Sequence, residues 1–183
     1  MKQCVRIIGG QFRGKKLYFP DIEGLRPTPD RVKETLFNWL MQDLRGAHCL
    51  DAFAGSGALG FEAYSRGAER VVLVEAAEQA YANLKEVAAS FNSDNLLVIK
   101  GKIEDYFPKA TESFDIIFLD PPFTKNELAL CLDFLAHSNL LVKGGLVYIE
   151  SANKLTLEAS VWQERKSKKA GQVCYGLYEK LSP

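Results

Sequence analysis

The tetrapeptide Asp120-Pro121-Pro122-Phe123 closes an apolar run, FDIIFL, at residues 114–119. Two successive prolines hold an extended turn and remove two backbone N–H donors. Acceptor oxygens and an aromatic ring are what remain at the end of the run. That set is a poor general base but suits an amine attached to a flat ring, whose lone pair is delocalised into that ring. Hydrogen bonds from the amine to the Asp120 carboxylate and the Pro121 carbonyl would draw its nitrogen toward tetrahedral geometry and free the lone pair for attack. Phe123 would stack on the ring. In such a scheme positioning and electrostatics supply most of the rate. A strand-ending turn with a core phenylalanine is the plain structural alternative.

A second constellation lies upstream, in CLDAFAGSGALG at residues 49–60. Gly55, Gly57 and Gly60 match G-x-G-x-x-G, which acts as a ligand loop when it follows a strand and opens a helix. Glu75 ends the run VVLVE, 20 residues past Gly55. An acid there can accept hydrogen bonds from two ribose hydroxyls. Asp51 separates the possible ligands. A carboxylate four residues before the first glycine repels a pyrophosphate but suits a sulfonium and an ammonium group. S-adenosylmethionine carries both and has no phosphate, so it fits this loop better than a nicotinamide dinucleotide does.

The elements that must position these groups follow from periodicity. Strands are expected at 47–51, 70–74, 96–99, 114–119, 145–150 and 172–179. Helices are expected at 58–66, 77–91, 103–107 and 126–136. Alternating strands and helices imply a mostly parallel sheet covered on both faces. The last strand, in GQVCYGLYEK, alternates like an antiparallel edge strand. Residues 3–19 alternate around Gly9-Gly10 and Gly14 as a short β-hairpin. A helix follows, with Thr28 as N-cap and Pro29 at its first position, and with Val32, Leu36, Trp39, Leu40 and Leu44 on one face. Ligands of such sheets bind beyond the carboxyl ends of the strands, where both motifs fall.

Length and composition fit this frame. The 183 residues are 47% hydrophobic and 25% charged, as expected of one globular domain. A division at residue 24 sets an N-terminal hairpin (1–24) apart from the main domain (25–183). No run reaches membrane-spanning length, and MKQCVRIIGG has no signal-peptide core, so the cytoplasm is the expected location. Cys4, Cys49, Cys131 and Cys174 are scattered, and His48 and His137 lack ligand spacing. No metal site is expected.

The net charge is zero but unevenly spread. Residues 1–33 hold eight Lys/Arg against three Asp/Glu, residues 162–183 five against two, and the middle ten against eighteen. Two basic ends could form the patch that a phosphate backbone requires.

The D-P-P-F tetrapeptide with LDAFAGSGALG resembles the amino-directed methyltransferases that use S-adenosylmethionine. RIIGGQFRGKKL, GLRPTPDRVKETLFNWL and AGQVCYGLY extend the likeness, over nearly the whole chain, to the RsmD family. That family methylates the exocyclic N2 of a guanine in bacterial small-subunit (16S) ribosomal RNA. The resemblance implies a Rossmann-like α/β methyltransferase fold: a mostly parallel seven-stranded sheet, helices on both faces and a small N-terminal β-hairpin. It implies that Asp51, Phe53, Ala54, Gly55, Ser56 and Gly57 line the donor, that Glu75 and Ala76 hold its ribose, and that Ile103 flanks its adenine. Arg26 and Thr28 would close over it. Asp120, Pro121, Pro122 and Phe123 would hold the guanine. Arg6, Arg13, Lys15 and Lys16 of the hairpin, with Lys166, Lys168 and Lys169 near the other end, would contact RNA phosphate. The implied partner is small-subunit ribosomal RNA or the assembling subunit, met by a monomer. One position departs from the pattern. Lys102 stands where related enzymes carry Asp or Asn toward the adenine amine, and lysine has no acceptor.

Other readings share parts of the pattern. Adenine-N6 or cytosine-N4 of DNA, or a protein glutamine amide, would use a similar turn. DNA enzymes usually carry a target-recognition region for which this chain has no spare length, and glutamine enzymes favour Asn at the position of Asp120. A non-catalytic nucleic-acid-binding module and a nicotinamide oxidoreductase fit less of the sequence.

Overall fold

The structure, a computed structural model, describes residues 2–122 and 126–183. Its strands are β1 (Gln3–Arg6), β2 (Lys16–Phe19), β3 (His48–Asp51), β4 (Arg70–Glu75), β5 (Leu96–Lys100), β6 (Phe114–Leu119), β7 (Leu141–Ser151), β8 (Trp162–Ala170) and β9 (Val173–Lys180). The helices are α1 (Asp30–Trp39), α2 (Ala58–Ser65), α3 (Glu78–Ala89), α4 (Ile103–Tyr106) and α5 (Glu127–Ala136). β1 and β2 form an antiparallel hairpin. The other seven strands form one sheet in the order β5-β4-β3-β6-β7-β9-β8. β3 through β7 pair in parallel, and β9 pairs antiparallel with both β7 and β8.

Successive strand residues point to opposite faces, so each run fills two layers. Cys49, Leu73, Phe118 and Tyr148 pack with α1, α2 and α3 on one face. Leu50, Val74, Ile117 and Ile149 pack with α4 and α5 on the other. Ile7, Leu17 and Phe19 of the hairpin region are at most 1% exposed, so the hairpin shares in the core.

The expected elements are present, and the structure adds one. The segment WQERKSKKA forms β8. It lacks the apolar alternation of a half-buried strand because it is the sheet edge, exposed along nearly its whole length. Charged side chains on such an edge discourage pairing with another chain.

The start of α1 also differs from expectation. Pro29 is the N-cap, with no side-chain cap bond. Thr28 is buried instead, and its Oγ1 donates to Glu150 Oε1 across 3.2 Å. A buried hydroxyl needs a partner, and β7 supplies one.

Candidate active site

Four acids stand at the carboxyl ends of four adjacent strands: Glu75 on β4, Asp51 on β3, Asp120 just past β6 and Glu150 on β7. Strand parity sends all four toward the α1–α3 face. Asp51 and Glu75 continue the Cys49 and Leu73 rows, and Asp120 and Glu150 follow Phe118 and Tyr148.

Glu75 is held by the glycine turn. Its Oε2 accepts from the Gly55 N–H and its Oε1 from the Ala77 N–H, both at 2.8 Å. Each oxygen keeps a free acceptor direction, and two oxygens held side by side suit a pair of neighbouring hydroxyls. Gly55 has φ +54°, and a Cβ there would meet only ordinary contacts, the nearest with Leu25 at 3.8 Å. Gly57 has φ +80°, and its Cβ would fall 2.3 Å from the Phe61 ring. At Gly60 a Cβ would lie 2.8 Å from Leu73 and 3.2 Å from Asp51 Oδ2. The second and third glycines thus let α2 close onto the sheet.

Asp51 is 2% exposed. Its Oδ2 accepts from the Gly60 N–H at 2.9 Å, satisfying one of the unpaired amides of the first turn of α2. Burial raises its pKa to about 7; the Gly60 bond opposes that, and the charges of Glu75 and Glu150 add to it. Burial, and then the nearby Glu150 and Asp51 carboxylates, hold the pKa of Asp120 well above the usual carboxylate range. The Glu150 pKa is raised by burial too, against three hydrogen bonds that favour its charged form. Carboxyls crowded in this way favour a cationic ligand. A ligand with adjacent hydroxyls and positive charge, such as S-adenosylmethionine, fits this donor and acceptor set.

The remaining expected residues are placed as follows. Ala54 and Ser56 are buried, Phe53 is half-buried, and Ala76 and Arg26 are exposed. Ile103 is 5% exposed and opens α4. Lys102 lies 3.7 Å from Glu104, with both side chains exposed. Pro121 is buried and Pro122 exposed; Phe123 lies outside the described residues. Glu150 and its partner Tyr148 were not singled out from sequence. The available signal was an acid ending the apolar run LVYIE, the same grammar as Asp120 on the neighbouring strand.

The basic residues stand on two different elements. The hairpin rests against α2 and α3, through Glu62 and Asn83, whereas β8 is the opposite edge of the sheet from β5. Arg6, Arg13 and Lys16 are exposed, but Lys15 is half-buried, its Nζ 4.9 Å from the centre of the Phe91 ring. Lys166, Lys168 and Lys169 are exposed on β8. Lys168 and Lys169 border a cavity of about 360 Å³ beside Ser151 and Tyr175 at the end of β7. Among the described residues no cluster of His, Cys, Asp or Glu could hold a metal, and no helix is long and apolar enough to cross a membrane.

The family described as Conserved hypothetical protein 95 matches residues 5–179. The Escherichia coli protein named Ribosomal RNA small subunit methyltransferase D is 42% identical over 178 residues, 96% of this chain and 90% of the relative. The Haemophilus influenzae protein of the same name is 43% identical over 182 residues, with coverages of 96% and 93%. Among solved structures, the candidate methyltransferase yhhF of Escherichia coli superposes with a TM-score of 0.89 at 40% identity, covering 99% of this chain and all of the other.

Proposed function

The chain belongs to the family described as Conserved hypothetical protein 95, that of the small-subunit ribosomal RNA methyltransferase D proteins, and from that premise we propose that it methylates the exocyclic N2 of a guanine in 16S ribosomal RNA, on an assembled or assembling subunit. It is a ribosomal RNA methyltransferase that uses S-adenosylmethionine; the base, the atom and the timing are the finer reading. The observation that carries that reading is Asp120-Pro121-Pro122 at the end of β6, between the Asp51 and Glu150 strand ends.

S-adenosylmethionine supplies an electrophilic methyl group on a sulfonium. Glu75, fixed by two backbone N–H groups, takes the ribose hydroxyls. Asp51, with Phe53, Gly55 and Ser56, faces the cationic part. Arg26 and the buried Thr28 close the approach from α1. Asp120 and the Pro121 carbonyl take the hydrogen bonds of the guanine amine, orienting its lone pair. Arg6, Arg13 and Lys16 on one side, and Lys166, Lys168 and Lys169 on the other, contact phosphates flanking the target. The hairpin, residues 1–24, serves as an RNA-contacting extension. A base in a duplex or stack has to leave it to reach such a site.

The test is transfer from labelled S-adenosylmethionine to small subunits lacking the modification, to naked ribosomal RNA, to DNA and to a protein extract, followed by digestion. The expected product is N2-methylguanosine, with subunits outperforming naked RNA. Label in adenine, cytosine or glutamine would keep the amine chemistry and overturn the substrate.

A further inference from the structure

β6 and β7 pair in parallel with Leu119 directly opposite Ile149. The next residues, Asp120 just past β6 and Glu150 still paired within β7, therefore stand side by side, at the roughly 4.8 Å spacing of neighbouring strands. Their carboxyls lie within hydrogen-bond reach. Glu150 is 7% exposed. One of its oxygens, Oε1, accepts from the Tyr148 hydroxyl at 2.8 Å and from Thr28 at 3.2 Å. Two hydroxyl donors favour the ionised form of Glu150, so the proton of the pair sits on Asp120. Among the described residues, the titratable groups acting on the pair are Asp51 on β3, Glu75 on β4, Tyr148 on β7 and Tyr175 on β9. All are acids or phenols, and any charge they carry is negative, which favours keeping one proton on the pair.

A methylated exocyclic amine is positively charged and must lose a proton, and a protonated Asp120 cannot take it without giving up its own. We propose that Glu150 acts through Asp120, positioning its carboxyl and taking its proton as the other Asp120 oxygen receives the proton that leaves the target nitrogen. The proposal rests on the reading of Asp120 given above. The nitrogen lone pair forms the N–CH3 bond as the S–CH3 bond breaks, the bonding pair staying with sulfur. The nitrogen, now four-bonded and positive, gives one proton to Asp120. The original Asp120 proton moves to Glu150. Asp120 ends neutral as it began, Glu150 is protonated, and water later takes that proton. Thr28 couples this pair to the start of α1, and Tyr148 sets the proton affinity of Glu150.

Glu150→Gln keeps the size of the side chain and its acceptor oxygen but is no longer a carboxylate base. Its single-turnover methyl transfer is expected to slow about a hundredfold, within the range for proton-transfer catalysis, with donor affinity unchanged within twofold. Its pH–rate profile should lose the acid limb. Tyr148→Phe keeps Glu150 but removes a donor, so its acid limb should move to higher pH. A readout without donor or RNA is the carboxyl carbon NMR titration of the protein alone. In Glu150→Gln, Asp120 should titrate at lower pH than in the wild type. Wild-type rate and pH profile in Glu150→Gln, an unmoved limb in Tyr148→Phe, or an unmoved Asp120 titration would overturn the proposal. Asp120→Ala separates the two levels. If it is inactive while Glu150→Gln is normal, only the relay fails; if it transfers normally, the reading of the site itself fails.

Discussion

Lys33 Nζ lies 3.6 Å from Glu62 Oε2, and both side chains are fully buried. The pair fastens the hairpin to α1 and α2. Lys33 also donates to the Arg6 carbonyl at 2.8 Å, and Glu62 accepts from the Ile8 and Gly9 N–H groups and from Arg66. Glu62→Ala strands a buried ammonium and two backbone donors. The expected loss of stability is about 3–5 kcal/mol, the cost of breaking a buried pair. Chemical denaturation measures it. Hydrogen exchange should show residues 3–19 losing protection first; a loss below about 1 kcal/mol would remove the pair as the fastening.

Glu75→Ala removes the acceptor of two backbone N–H groups and the proposed ribose contact. Donor affinity should fall by about 2 kcal/mol, or about thirtyfold, as expected for hydrogen bonds to a charged group. Calorimetric titration checks this. An unchanged affinity would place the ribose elsewhere.

The strand-end acids set two opposite pH trends. Asp51, Asp120 and Glu150 all have raised pKa values in the folded protein. The native state therefore holds more protons than the unfolded chain above about pH 4. Their contribution to stability is full below the unfolded carboxylate range and is lost as pH rises through the folded values, near 7 for Asp51. Stability without donor should thus fall between pH 4 and 7, and less steeply in Asp51→Asn. Binding of the sulfonium donor favours ionised Asp51 and should tighten over pH 6–8, more than binding of its uncharged thioether product. Equal slopes for the two ligands would mean that Asp51 does not face the sulfonium.

The basic segments should differ in their effect on RNA binding. Removing one lysine or arginine from a phosphate lowers the salt slope by about 0.7–0.9. Neutralising Lys168 and Lys169, or Arg13 and Lys16, should flatten the slope accordingly. Lys15, lying on Phe91, should change it least. A slope unaffected by either pair would remove that segment from the interface.

Asp120-Pro121-Pro122 and the first glycine turn were legible because each is a local pattern at the end of an apolar run. Glu150 was not. Its partners stand on other elements, Thr28 being 122 residues away, and only the parallel pairing of β6 and β7 brings Asp120 beside it. The Lys33–Glu62 pair was hidden for a similar reason, since a charged residue on a helix normally reads as surface. The glycines show a subtler limit. G-x-G-x-x-G marks the turn, but the sequence does not say which glycine faces the ligand, and here Gly57 and Gly60 make room for Phe61 and Leu73. β8 escaped detection because an edge strand exposed on both faces carries no alternation to read.

The most direct test of the central claim, that the end of β6 holds the amine, compares two quantities in Asp120→Ala: the single-turnover rate of methyl transfer and the dissociation constant for S-adenosylmethionine. With Asp120 proposed to hold the target and Glu75 the donor, transfer is expected to fall to the limit of detection with donor binding nearly unchanged. Transfer retained, or transfer and donor binding abolished in parallel, would contradict it.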